Sequence, residues 1–211
     1  MLGPIVLCSF TIRSKAPITP QVLRAALTSL RWRHPDIASI VLQSPPHPSG
    51  KHVLTYSTPM GAADLSNWLD NIIICHRPVA AESLEAAIAD VRLRYGRTIE
   101  VSRPSHSLIV HFIPALTPGG PCGFLLNIAH ESTDVVGTCQ IVDELGREIA
   151  AAIKQDSQAS FVFDGQEISR LSKPFPGRTV SPWSAMSEED AAHVDYLAHN
   201  LAPKSVRLLF P

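Results

Sequence analysis

His130 and Asp134 lie four residues apart in the stretch LLNIAHESTDVVG, Leu125 to Gly137, and are the side chains of this chain best placed to do chemistry. A neutral imidazole takes a proton from a hydroxyl or amine near neutral pH, and it needs only reach and a fixed ring orientation to act as a general base. Metal binding asks for more. His130, Asp134 and Glu131 would need a further ligand, and neither HExxH nor a second histidine pair at ligand spacing is present. A nucleophilic triad would need an activated serine or cysteine, yet the chain has no GxSxG, and neither Ser132 nor Cys139 has a motif around it. The structural alternative is a histidine satisfied by a backbone carbonyl, with Asp134 capping the next helix. Two fixed positions do not by themselves decide between chemistry and packing.

The flanking elements sharpen the choice. FLLNIAH is an almost continuous apolar run, the pattern of a central strand, and HSLIVHFIPA before it has the same character. After the motif, Ile141, Val142, Leu145, Ile149 and Ile153 recur at helical spacing through CQIVDELGREIAAAIKQ. His130 thus falls where a buried strand ends and before a helix begins, a favoured place for a site in an α/β fold. Further upstream, IVLCSF reads as a first strand, and ITPQVLRAALTSLRWRHPD as a helix with Thr19 as N-cap and Pro20 at its first position, ended by His34-Pro35. IASIVLQS and HVLTYST form a hairpin across PPHPSGK. Helices are expected over Asp64–Ile74 and Ala80–Arg94, and a short one after Ser187. The closing SVRLLFP is an apolar strand in search of a sheet or partner surface.

Composition excludes several function classes. With 45% apolar and 18% charged residues, 211 residues can bury one sizeable core. The net charge of −1 favours neither nucleic acid nor an anionic membrane as partner, and points to a small molecule or a protein. No apolar run approaches the roughly 20 residues that span a bilayer. Cys8, Cys75, Cys122 and Cys139 are widely spaced and without a CxxC, the pattern of reduced, buried thiols in a cytoplasmic protein. His106 and His111, at odd separation on one expected strand, point to opposite faces and read as core or surface histidines. Trp32, Trp68 and Trp183 read as packing residues, and Arg24, Arg31 and Arg33 as a solvated helix face.

Strand FLLNIAH, then HESTDVVG, then helix QIVDELGREIA resembles the H-x-x-x-D-G region of the CoA-dependent acyltransferase and condensation-domain superfamily. Within it the resemblance is to fungal alcohol acyltransferases of the trichothecene acetyltransferase kind. TPQVLRAALTSLRWRHPDIAS, about 100 residues earlier, looks like the superfamily's first helix with its trailing His-Pro and strand. The resemblance implies an α/β, chloramphenicol-acetyltransferase-like lobe, a mixed sheet flanked by helices, over residues 1–160. Residues 161–211 would be a linker and the start of an incomplete second lobe or a partner-binding tail. It implies acyl transfer from a CoA or carrier-protein thioester, a co-substrate rather than a resident cofactor, to a hydroxyl or amine of a small specialised metabolite. His130 matches the catalytic base. Asp134 matches a structural aspartate ion-paired with a basic residue, for which Arg94 and Arg97 are candidates.

Two departures from the pattern matter. The glycine that usually follows the aspartate is Val135, with Gly137 two places on, so these two residues are expected to shape and narrow the substrate passage. The second-lobe D-F-G-W-G motif is absent, and only VFDGQE, 162–167, faintly echoes it. The missing walls would come from a second lobe or a homo-oligomer. Reuse of the scaffold for cyclisation, or a catalytically degenerate lobe acting as an assembly partner, are the other readings that these departures support.

Overall fold

The computed structural model describes residues 5–43, 52–77, 83–95, 105–130, 132–154 and 161–171. Residues 1–171 cluster as one compact unit and 172–211 as a second, so the helix expected after Ser187 and the SVRLLFP strand lie outside the described residues. The first unit is built on a four-stranded sheet in the order β1-β7-β6-β4, where β1 is Ile5–Ile12, β4 Ile73–Cys75, β6 Leu108–Ile113 and β7 Cys122–Ala129. β7 runs antiparallel to both β1 and β6, whereas β4 runs parallel to β6, so the sheet is mixed. A separate three-stranded antiparallel sheet joins β3 (His52–Thr55), β2 (Ile40–Gln43) and β5 (Ser105–His106).

The expected elements are recovered with local shifts. Helix α1, Pro20–Arg33, begins where the sequence places it: the Thr19 hydroxyl accepts the Val22 N–H at 3.3 Å, and Pro20 fills the first turn. Helix α2, Ala62–Ile72, stops short of the expected Ile74, because Ile73–Cys75 leaves the helix to form β4. Helix α3, Leu84–Tyr95, and helix α4, Val135–Ile153, follow the apolar spacing. The expected strand 106–115 is two strands. Ser107, fully buried, breaks it by turning its N–H to the Ser39 carbonyl at 2.9 Å and its hydroxyl to the carbonyls of Asp36 and Ile37.

Both faces of the sheet are covered. On one, Leu23, Leu27 and Leu30 of α1 and Leu145 and Ile149 of α4 pack on Phe112, Phe124, Leu126 and Ile128. On the other, Leu84, Ala87 and Val91 of α3 pack on Ile113 and Leu125. All eight residues of β7 are buried, as its unbroken apolar run requires of a strand covered on both sides. Gly123 makes the α3 packing close: a Cβ there would meet Ile88 Cδ1 at 2.9 Å, so a larger residue would have to push the Ile88 side chain aside. The thiols are free, but only Cys122 is buried; Cys8 is half-buried, and Cys75 and Cys139 are exposed, contrary to the expectation of buried thiols. Among the described residues no helix is long and apolar enough to cross a membrane.

Candidate active site

His130 is the first exposed residue after the buried length of β7. Its position is set by the backbone around it rather than by its own ring, which hydrogen-bonds to no other described residue. The Ala129 N–H donates to the Ser107 carbonyl at 2.8 Å, and the Ala129 carbonyl accepts both the Ser132 N–H at 2.9 Å and the Ser132 hydroxyl at 2.7 Å. Ser107 therefore ties the strand end to the turn Pro35–Ala38, and Ser132 closes the turn beyond it. An imidazole on such an anchored turn is held by rigid elements while its ring stays open to a substrate.

Asp134 is the N-cap of α4. Its Oδ1 accepts the Gly137 N–H at 2.8 Å, and its carbonyl accepts the Thr138 N–H at 2.9 Å and hydroxyl at 2.8 Å. Of the two cations suggested as its partner, Arg94 pairs instead with Asp90, one turn back on its own helix, and Arg97 lies outside the described residues. Val135 is the first residue of the right-handed helix α4 and so has ordinary helical backbone. The conformational objection to a β-branched residue therefore does not arise there. Val135 and Val136 are exposed beside the histidine turn and present an apolar edge. Gly137 is closely packed: a Cβ there would run into Thr133 Oγ1 unless that hydroxyl turned away. If capping is the role of Asp134, Asp134→Ala is expected to cost about 1 kcal/mol in urea denaturation, and Asp134→Asn only a few tenths. An asparagine variant as damaged as the alanine one would instead assign Asp134 a role that needs its charge.

A second constellation was not read from the sequence. His76 Nε2 and His111 Nδ1 lie 2.9 Å apart, one donating to the other, with the Tyr95 ring packed against both at centroid distances of 5.3 and 4.8 Å. The parallel pairing of β4 with β6 brings these residues together, and 35 positions of separation hid it. Burial, then the neighbouring His76, pushes His111 down from 6.5 to about 4; burial, then Arg94, lowers His76 against the opposing pull of Asp90. A histidine kept neutral by the fold stabilises it fully above its unfolded value, and that stability is lost as pH falls from 6.5 towards 4. The wild type is therefore expected to lose about 2 kcal/mol between pH 7 and pH 5 through this group. Urea titrations at both pH values should show that loss flattened in His111→Phe; an unchanged pH slope would assign the acid sensitivity elsewhere.

Arg31, expected on a solvated face, is only 4% exposed, with its guanidinium 4.7 Å from the Trp68 ring and near Tyr56 and Phe163. Arg24 pairs with Asp70, and Arg33 with Glu148. Among the described residues no group of three or more His, Cys, Asp or Glu side chains is placed to hold a metal ion.

No family model matches the chain, and no curated protein matches it. Among solved structures, the TRI3 trichothecene 15-O-acetyltransferase from Fusarium sporotrichioides aligns with a TM-score of 0.66 at 19% identity, over 95% of this chain and 41% of that one. Holo T3CT aligns at 16% identity over 72% of this chain and 31% of its own, and F. sporotrichioides TRI101 complexed with coenzyme A and T-2 at 15% over 87% and 43%. Both have TM-scores of 0.48, too low to establish a shared fold. The chain thus spans less than half the length of the acetyltransferase it aligns with best among these. Its mixed sheet flanked by helices is a chloramphenicol-acetyltransferase-like lobe, the fold that it shares with part of that enzyme.

Proposed function

We propose that the chain is an acyltransferase lobe that moves an acyl group from a CoA or carrier-protein thioester to a hydroxyl or amine of a small specialised metabolite, with His130 as general base. The observation that supports this best is the placement of His130: exposed, at the anchored end of the central buried strand, beside the first turn of α4, in a fold shared with part of an O-acetyltransferase.

In this reading an imidazole nitrogen of His130 takes the acceptor's proton as its oxygen or nitrogen attacks the thioester carbonyl. The tetrahedral intermediate then expels the thiolate, which recovers that proton and leaves as a thiol, with no acyl-enzyme. The N–H groups of Val135 and Val136 are the first-turn donors of α4 left without a described partner once Asp134 has taken those of Gly137 and Thr138, and they are the candidates for stabilising the oxyanion. The exposed valine side chains offer the acceptor an apolar wall, and the remaining walls come from a second lobe or from another copy of the chain.

The test is release of free thiol from acetyl-CoA by the full chain against a panel of hydroxylated and amine acceptors, beside a calorimetric titration with acetyl-CoA. Thiol release that requires both donor and acceptor supports acyl transfer. The absence of both release and binding in a folded, self-assembled chain removes acyl transfer and favours the assembly-partner reading.

A further inference from the structure

The end of the sheet opposite His130 carries a cavity that the acyl-transfer reading does not use. It is an open cleft of about 420 Å³ between the segment that leaves β1 for α1 and the loop that joins β6 to β7. Cys122 lines it at one end of β7 and Ala129 precedes His130 at the other, so roughly 23 Å of strand separates the two places at 3.3 Å per residue. A ligand in one does not touch the other.

The walls have a definite chemistry. Pro17, Ile18, Pro114, Ala115, Leu116 and Pro118 make them largely apolar and, through three prolines, stiff. Gly119, in the left-handed region at φ 73°, and Gly120, whose N–H closes a turn onto the Thr117 carbonyl at 2.9 Å, form a rim with no side chain to fill the opening. The lining holds one charged group, the exposed Lys15, with no acidic residue beside it, and Lys15 makes no ion pair with another described residue. Ser14 and Thr117 add hydroxyls. A pocket of this size with apolar walls and one unspent cation at its edge selects a compact apolar body that carries a single negative charge.

The geometry points to a second binding site for a small, largely apolar carboxylate, with Lys15 as its charge partner. Neutral molecules of the same shape lack that partner, and a cation of the same shape is repelled.

The probe is 1-naphthoate, with the neutral 1-naphthalenemethanol as its comparison, followed through the backbone amides of the full-length ¹⁵N-labelled protein. Naphthoate is expected to shift the amides of Ala16, Gly119 and Gly120, and to bind about two to five times more tightly than the alcohol at low salt. Lys15→Met should remove that preference, leaving the two probes equal, while His130→Ala leaves both unchanged; the latter separates this site from the proposed reaction. The alkyl stem of Lys15 is replaced by one of similar length at an exposed position, so the variant keeps its fold. The inference is overturned if millimolar naphthoate leaves these amides unmoved, if it shifts the residues around His130 instead, or if the preference for the charged probe survives in Lys15→Met.

Discussion

His130→Ala is expected to lower kcat/KM for thioester-dependent acyl transfer by about 10² to 10⁴, the range that a positioned general base contributes, with the folded state unchanged. The two halves of this expectation come from the same geometry. The ring is exposed and bonds to no other described residue, so its removal takes nothing from the core, and exposed substitutions of that kind stay within about 0.5 kcal/mol. The turn that carries it is held by Ser107, Ala129 and Ser132 through backbone and hydroxyl groups, all of which the variant retains. Loss of rate should therefore appear in kcat more than in binding of the thioester, because a general base acts on the acceptor's proton in the transition state and not on the donor. Thermal melting and acetyl-CoA titration of the variant complete the measurement. Activity within a few-fold of wild type would remove His130 from the mechanism; activity lost together with the melting transition would make it a structural residue after all.

The parts of the molecule that were legible in the sequence are those written in local patterns. The unbroken apolar run of β7, the helical spacing of Ile141, Leu145 and Ile149, and the cap signal Thr19-Pro20 each concern residues within a few positions of one another, and each reappears in the structure. Asp134 was legible too, through the same rule that favours aspartate before a helix. What escaped depends on contacts between distant segments. Ile73–Cys75 continues the apolar periodicity of α2, and only its pairing with β6 makes it a strand. His111 sits in an apolar strand where no spacing predicts a partner, and its partner is 35 residues away. The single strand expected over 106–115 divides because Ser107 finds carbonyls near residue 37, a match that no window of ten residues contains. Arg31 shares a helix face with exposed-looking neighbours, and three aromatic rings from other segments bury it.

That burial underlies the largest stability effect expected. Arg31→Ala should destabilise the fold by about 2 to 4 kcal/mol, the cost of a void in a buried, ring-packed site together with a lost charged hydrogen bond. The guanidinium donates to the Ser57 carbonyl at 3.0 Å and is packed among Tyr56, Trp68 and Phe163. Facing the same cluster, fully buried Glu167 accepts the Tyr56 hydroxyl at 3.0 Å and the Gly165 N–H at 2.9 Å. Burial works to raise the Glu167 carboxyl, but the hydrogen bonds that it accepts, those from Tyr56 and Gly165 among them, outweigh it and hold the group below the usual range; burial first, and the Glu167 bond with it, pushes Tyr56 up to about 12 against the pull of Arg31. The carboxylate therefore stays charged inside the protein, and Arg31 feels its charge through space without a direct ion pair. Removing Arg31 opens a void between the rings and takes a through-space counter-charge from Glu167, so the segment 161–171, which Trp32 and Arg170 also hold to α1, should be released first. Lysine should not rescue the loss, since a compact ammonium cannot lie flat between aromatic faces. Glu167→Gln in the Arg31→Met background should recover part of it, because the carboxylate left without that counter-charge is then gone. Equal costs for Arg31→Ala in the wild-type and Glu167→Gln backgrounds would show instead that the two groups are uncoupled, and that the lost stability is packing alone.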